Sequence, residues 1–173
     1  PEARNAVERS VEAATQAFSA LLDSGDRVGV AAMGPSECWL PPGTGSDHRA
    51  EARELFTSHP ALAATPLGER FLPTTWLSRF RRRLPADAQI VFFSPLVDDF
   101  AVSAARRLDA YGHLVTVISP DPTVTDTPGR ELARVERANR LSQLRTTGVR
   151  VIDWADDAAL APALERSARR WSV

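Results

Sequence analysis

Asp23-Ser-Gly-Asp-Arg-Val-Gly-Val-Ala-Ala-Met-Gly34, set beside Ala88-Gln-Ile-Val-Phe-Phe-Ser-Pro-Leu-Val-Asp-Asp99, decides the fold class. Each is a short apolar run, bounded by turn residues, that opens into a polar loop. The first follows a helical pattern and the second precedes one. Strands that alternate with helices imply a parallel α/β sheet. Ligands of open α/β sheets bind outside the carboxyl ends of the strands. The loops after Met33 and after Phe93 are therefore where function is expected.

Working outward, Asn5 to Leu22 reads as an amphipathic helix, because Val7, Val11, Ala14, Phe18 and Leu21 or Leu22 recur at helical spacing. Gly25 ends it, and Arg27–Met33 reads as a buried strand. Cys38-Trp39-Leu40 reads as a short edge strand stopped by Pro41-Pro42. A helix capped by Ser46 or Asp47 is expected to run to about Ser58. Pro60–Gly68 is expected to be loop. Glu69–Leu84 reads helical, with Pro73 in its first turn or between two short helices. The remaining expected order is strand Gln89–Phe93, helix Asp98–Tyr111 closed by Gly112, strand His113–Ser119 and loop Pro120–Pro128. After these come helix Gly129–Thr146, strand Val149–Asp153 and helix Ala158–Arg170. Leu132, Val135, Leu141 and Leu144 are expected to be the buried side of the long charged helix. Together these predict one domain over residues 1–173. Its fold is a three-layer, mostly parallel, doubly wound Rossmann-like sheet with helices on both faces and a short antiparallel edge strand.

The chain has 173 residues and a net charge of −1, which excludes a general electrostatic pull toward nucleic acid or anionic membrane. It has no Lys; every basic residue other than His is Arg. The single Cys38 excludes an internal disulfide and a cysteine metal cluster, and fits a reducing, cytoplasmic compartment. No apolar run approaches the roughly 20 residues that a membrane span needs. A helix comes first, whereas the first strand of a doubly wound sheet usually lies at its middle. Pro1-Glu-Ala-Arg4 also reads like the middle of a loop. The expectation is a fragment whose preceding segment carried that strand. Without it, Val28–Met33 and Ile90–Phe93 either pair directly or leave an edge open to self-association.

The order of helix, Ser24-Gly-Asp-Arg-Val-Gly-Val30, Trp39-Leu-Pro-Pro42, Ala64-Thr-Pro-Leu-Gly68, Ile90–Asp99 and Gly148-Val-Arg-Val-Ile-Asp-Trp154 resembles the von Willebrand factor A-like domains. It is most similar to the uncharacterised prokaryotic branch encoded beside MoxR-type AAA+ ATPases. The resemblance implies a non-enzymatic protein-interaction or scaffold module, with an AAA+ ATPase as partner and a membrane-anchored parent. Intact domains of this kind hold Mg²⁺ through an Asp-x-Ser-x-Ser motif, a loop Thr and a later Asp; oxygen ligands suit that hard cation. The Asp-x-Ser-x-Ser motif is absent here. Thr65 stands where the loop Thr would be, as a degenerate remnant, and the later Asp falls at Pro95. No cofactor is therefore expected, and Thr65, Ser94, Asp98 and Asp99 become candidate partner-binding residues.

Read from the residues alone, Asp98 and Asp99 are either a carboxylate pair or the cap of the following helix. The alternative function is a small hydrolase or phosphatase-like enzyme that uses Asp98 and Asp99 with Ser94. No Gly-x-Ser-x-Gly elbow surrounds Ser94, however. Gly43-Thr-Gly-Ser46 lacks the Lys of a phosphate loop. His48, His59 and His113 are scattered. Arg79 and Arg81-Arg-Arg83 match the negative end of a helix, or form a surface for an acidic partner. The helix Arg130–Arg145 reads as an exposed ionic face with a Glu136–Arg140 pair. Trp39, Trp76, Trp154 and Trp171 read as core or rim anchors.

Overall fold

The computed structural model describes residues 2–63, 71–120, 128–154, 160 and 162. The chain divides into two compact units, one holding Ala3–Leu72 and the other Pro73–Asp156. Among the described residues there are five α-helices, a two-stranded antiparallel sheet and a three-stranded parallel sheet. The α/β class and the parallel ladder read from the sequence are present.

The first unit comprises α1 (Glu2–Asp23), β1 (Val28–Ala32), β2 (Cys38–Gly43), α2 (Gly45–Ser58) and a 3₁₀ turn over Pro60–Leu62. Small side chains (Ala6, Ala13, Ala17), with Phe18 and Leu22, form the buried stripe of α1. Gly25, at φ 89°, turns the chain so that the Asp26 N–H donates to Leu21 O at 3.1 Å, closing the helix as expected. Phe18, Leu22, Leu40 and Ala52 make the core, with Val28, Val30, Leu55 and Phe56 packed on it.

Two expectations are corrected here. The second strand does not stop at Pro41-Pro42 but runs to Gly43. The register slips between Val28 and Val30, so pairing resumes at Val28↔Gly43 beyond the prolines, which have no N–H to give. Gly29 permits this, since a Cβ there would sit 2.7 Å from Leu40 O. Likewise, α2 is not capped by Ser46 or Asp47; it begins at Gly45 after Thr44, and Asp47 lies within its first turn. The His48 ring supplies the anchor instead. Its Nε2 donates to Val28 O at 2.6 Å, tying the helix start to β1.

The second unit comprises α3 (Pro73–Arg83), β3 (Ile90–Phe93), α4 (Asp99–Ala110), β4 (Val115–Pro120), α5 (Pro128–Thr146) and β5 (Arg150–Trp154). The strand order is β3-β4-β5, all parallel, with Ile90↔Val115 and Val117↔Val151 in register. Every residue of the central β4 is buried. In a sequential parallel order, right-handed crossovers step the same way twice, so α4 and α5 share one face. They accordingly pack on each other, α4 against β4 and α5 against β5. Pro73 opens α3 where its missing N–H is harmless. Gly112, at φ 94°, closes α4 as expected.

The structure separates what the sequence suggested was one sheet. Strands β1 and β2 ladder only with each other, so β2 is no edge of the parallel sheet among the described residues. The buried side expected for α5 is half right: Leu141 and Leu144 are buried, but Leu132 and Val135 are 61% and 51% exposed. Length explains this. At 19 residues, α5 is about 28 Å long, against about 17 Å for the 5 residues of β5, leaving roughly two turns beyond the sheet. Gly129 and residues 131–136 are exposed throughout. The expected helix Ala158–Arg170 lies outside the described residues apart from Leu160 and Pro162, as does Trp171. No helix among the described residues is long and apolar enough to cross a membrane.

Candidate functional site

The candidate residues of the second unit sit at the carboxyl end of β3, where the chain must turn from strand to helix. Ser94 is 8% exposed, and its N–H continues the ladder to Ile118 O at 3.1 Å. Its Oγ accepts from the Leu96 N–H at 3.1 Å. That bond holds Leu96 at φ 54°, a left-handed conformation costing a side-chain-bearing residue roughly 1–2 kcal/mol. Leu96 is 0% exposed, and burying a leucine is worth about 1.5–3 kcal/mol, so packing offsets the strain. The same turn leaves the neighbouring Val97 59% exposed.

Asp98 is the N-cap of α4. Its Oδ1 accepts from the Phe100 N–H at 3.0 Å and the Ala101 N–H at 3.2 Å. Asp99, in the first helical turn, points outward with its side chain 89% exposed, and its Oδ1 accepts from Arg140 Nε at 2.8 Å. Arg140 also donates to Leu96 O at 3.3 Å, so α5 clasps the turn that carries all these residues. The structure thus brings Ser94, Asp98 and Asp99 together on one turn. Two of the three are committed to backbone N–H groups and the third to a guanidinium. Thr65 lies outside the described residues.

The Mg²⁺ that the resemblance implies does not fit the described residues. Pro95 offers no side-chain oxygen, Asp98 faces two N–H donors, and Asp99 faces a cation. Among the described residues, no three His, Cys, Asp or Glu side chains converge where they could hold a metal.

The sequence reading missed Arg137. It does not belong to the exposed ionic face; it is 6% exposed, among the most buried polar residues of the unit. Its Nη2 donates to Ser119 O at 3.1 Å, to Ser119 Oγ at 3.0 Å and to Asp153 Oδ1 at 2.6 Å. It therefore ties α5 to the carboxyl ends of β4 and β5. Its Nε is buried with no partner among the described residues. The available signal was spacing, since Arg137 stands four and seven residues before Leu141 and Leu144, on their face of the helix. The Glu136 expected to pair with Arg140 lies 3.9 Å away, and the closer partner is Asp99.

The histidines do local work. His59 accepts from the Ala61 N–H at Nδ1 and donates from Nε2 to Glu37 O at 3.0 Å, while His113 Nδ1 donates to Ala88 O at 3.0 Å. Gly43 lies against the His48 ring, so the Gly43–Ser46 loop folds onto protein. Cys38 is 3% exposed, and burial pushes its thiol up to about 11, a backbone hydrogen bond to Ala32 only partly opposing this.

Comparison with family models, with curated proteins and with solved structures finds no match for this chain.

Proposed function

We propose that this chain is a non-enzymatic interaction module of the von Willebrand factor A-like type, docking a protein partner at the carboxyl ends of its parallel strands. A three-layer arrangement of that type is part of this reading, and a MoxR-type AAA+ ATPase is the partner it implies. One observation carries it. The first two turns of α5 stand beyond the sheet and expose Leu132 and Val135 on one helical face. Val97 is exposed at the same end of the unit. A helix face left exposed among the described residues of its own unit is suited to another chain. Burying both side chains would contribute up to about 3–6 kcal/mol before the costs of association. Asp98 and Ser94 hold the turn, and the overhanging helix makes the contact.

The test is capture of a MoxR-type ATPase by the purified chain. Leu132→Glu/Val135→Glu is expected to lose the ATPase, while Asp98→Asn, which can still cap α4, retains it. Equal capture by the double variant refutes the proposed surface. Turnover of a small substrate that is abolished by Asp98→Asn refutes the non-enzymatic reading.

A further inference from the structure

A second surface lies at the opposite pole of this unit, where α3 and α4 end side by side. Arg81 crosses between them, its guanidinium carbon 3.7 Å from the centroid of the Tyr111 ring. Tyr111 caps α4, its N–H donating to Arg107 O at 3.0 Å. Ser103, Arg107 and Tyr111 are spaced by four residues and so form one row along α4. Ser103, Arg106 and Arg107 line a shallow cleft on that row. Helix α3 adds Arg79, Arg82 and Arg83 and carries no Asp or Glu.

Matching of cations to helix dipoles does not account for this many charges. A helix carboxyl end is equivalent to about half a negative charge, so two ends offset only about one of the five arginines Arg79, Arg81, Arg82, Arg106 and Arg107. Asp87 and Asp109 are the nearby carboxylates in sequence, which leaves an excess of about two positive charges. Arg79, Arg82, Arg106 and Arg107 are all exposed, and among the described residues none of the four pairs with a carboxylate. Leu114, 55% exposed, and Tyr111, 45% exposed, add apolar area beside them.

We propose that this pole docks a protein segment rich in Asp and Glu that carries an apolar residue, a surface distinct from the strand-end rim and independent of it. Carboxylates pair bidentately with guanidinium groups, and Leu114 with the edge of Tyr111 receives the apolar residue. Nucleic acid is the less suitable polyanion. One face of Tyr111 is already occupied by Arg81, and Trp76 and Phe80 stack on each other with centroids 4.8 Å apart. The aromatic platforms on which single strands stack are therefore in use.

The test uses the whole chain and a short fluorescent peptide of Glu residues around one Leu, read by anisotropy. Binding is expected at low ionic strength and is expected to weaken at physiological salt, where the Debye length is about 8 Å. Arg82→Glu/Arg106→Glu is expected to weaken it at least about tenfold, because it removes two attractions and adds two repulsions. Arg53→Glu, on α2 in the other unit, is expected to leave it unchanged. If the reversed charges disturb folding by circular dichroism, Arg82→Gln/Arg106→Gln removes the attraction alone and is expected to weaken binding by a smaller factor. No binding by the parent chain overturns the proposal, as does equal binding by the folded double variants. Tighter binding of a single-stranded oligonucleotide than of the peptide also overturns it.

Discussion

Arg137→Met sets two opposed effects against each other at the buried link between α5 and the strand ends. Replacing a buried ion pair by apolar side chains is often neutral or stabilising, because the desolvation cost disappears. Here the substitution also removes an Nε that has no partner among the described residues, a gain of about 1 kcal/mol. Ser119 decides the sign. It is 0% exposed, so its hydroxyl oxygen loses the guanidinium with no water to replace it, while its carbonyl oxygen stays in the β5 ladder and loses only a second hydrogen bond. A buried group left unsatisfied costs about 1–3 kcal/mol, and a lost second hydrogen bond about 0.5–1.5 kcal/mol. Asp153 is a lesser concern, since its side chain is 45% exposed and rehydrates. The net is a loss of about 2 kcal/mol, and Ser119→Ala in the Met background should restore about 1 kcal/mol by deleting the orphaned hydroxyl. Amide hydrogen exchange along β4 reads this unit directly; a loss of 2 kcal/mol shortens protection roughly 30-fold. If Arg137→Met leaves β4 protection unchanged, or Ser119→Ala lowers it further, the guanidinium is not what satisfies Ser119 and the reasoning fails.

Two other perturbations test single features. Asp98→Ala removes both cap hydrogen bonds of α4 and should cost about 1 kcal/mol, whereas Asp98→Asn should cost only a few tenths; equal losses in urea titrations would show that the cap is not the role of Asp98. At Cys38 the raised ionisation leaves roughly a hundredfold less thiolate at pH 8 than an ordinary thiol has, so Ellman's reagent should label the native chain far more slowly than the urea-unfolded one. The unfolded thiol ionises first as pH rises, so the stability held by burying Cys38 is complete below about pH 9 and lost toward 11; native labelling as fast as unfolded, or a flat stability profile over that window, contradicts the burial.

What could be read from the sequence, and what could not, divides by the range of the interaction. Gly25 and Gly112 end helices through their own backbone conformation, and Asp98 caps through bonds to Phe100 and Ala101, two and three residues on. Such features are local, so periodicity and turn chemistry reveal them. The β2 prolines mislead because their accommodation depends on Gly29 of another strand, whose bare Cα permits the slip in register. Arg137 and Arg140 mislead for the same reason. Arg140 finds Asp99 across 41 residues, and Arg137 finds Ser119 and Asp153 on two strands. Composition marks both as solvent-facing charges, and only the parallel register, with Ser119 opposite Asp153, turns one of them into a core residue.

The overhang of α5 extends that argument to function. Hydrophobic periodicity treats Leu132, Val135, Leu141 and Leu144 alike, because it measures a helix face and not what lies opposite it. Whether the face is core or contact depends on where the sheet stops. Strand β5 covers only as much of α5 as its own length allows, and the helix leaves it near Arg137, beyond which residues 131–136 are exposed. Residues 131–136 share the amphipathic pattern with the buried half yet are exposed, with no described residue of their own unit covering them. Shortening α5 by removing those turns would retain Arg137, Leu141 and Leu144 and, on this reasoning, the packing of the unit. Keeping them exposes two large apolar side chains to water, which a partner seated on that end would cover.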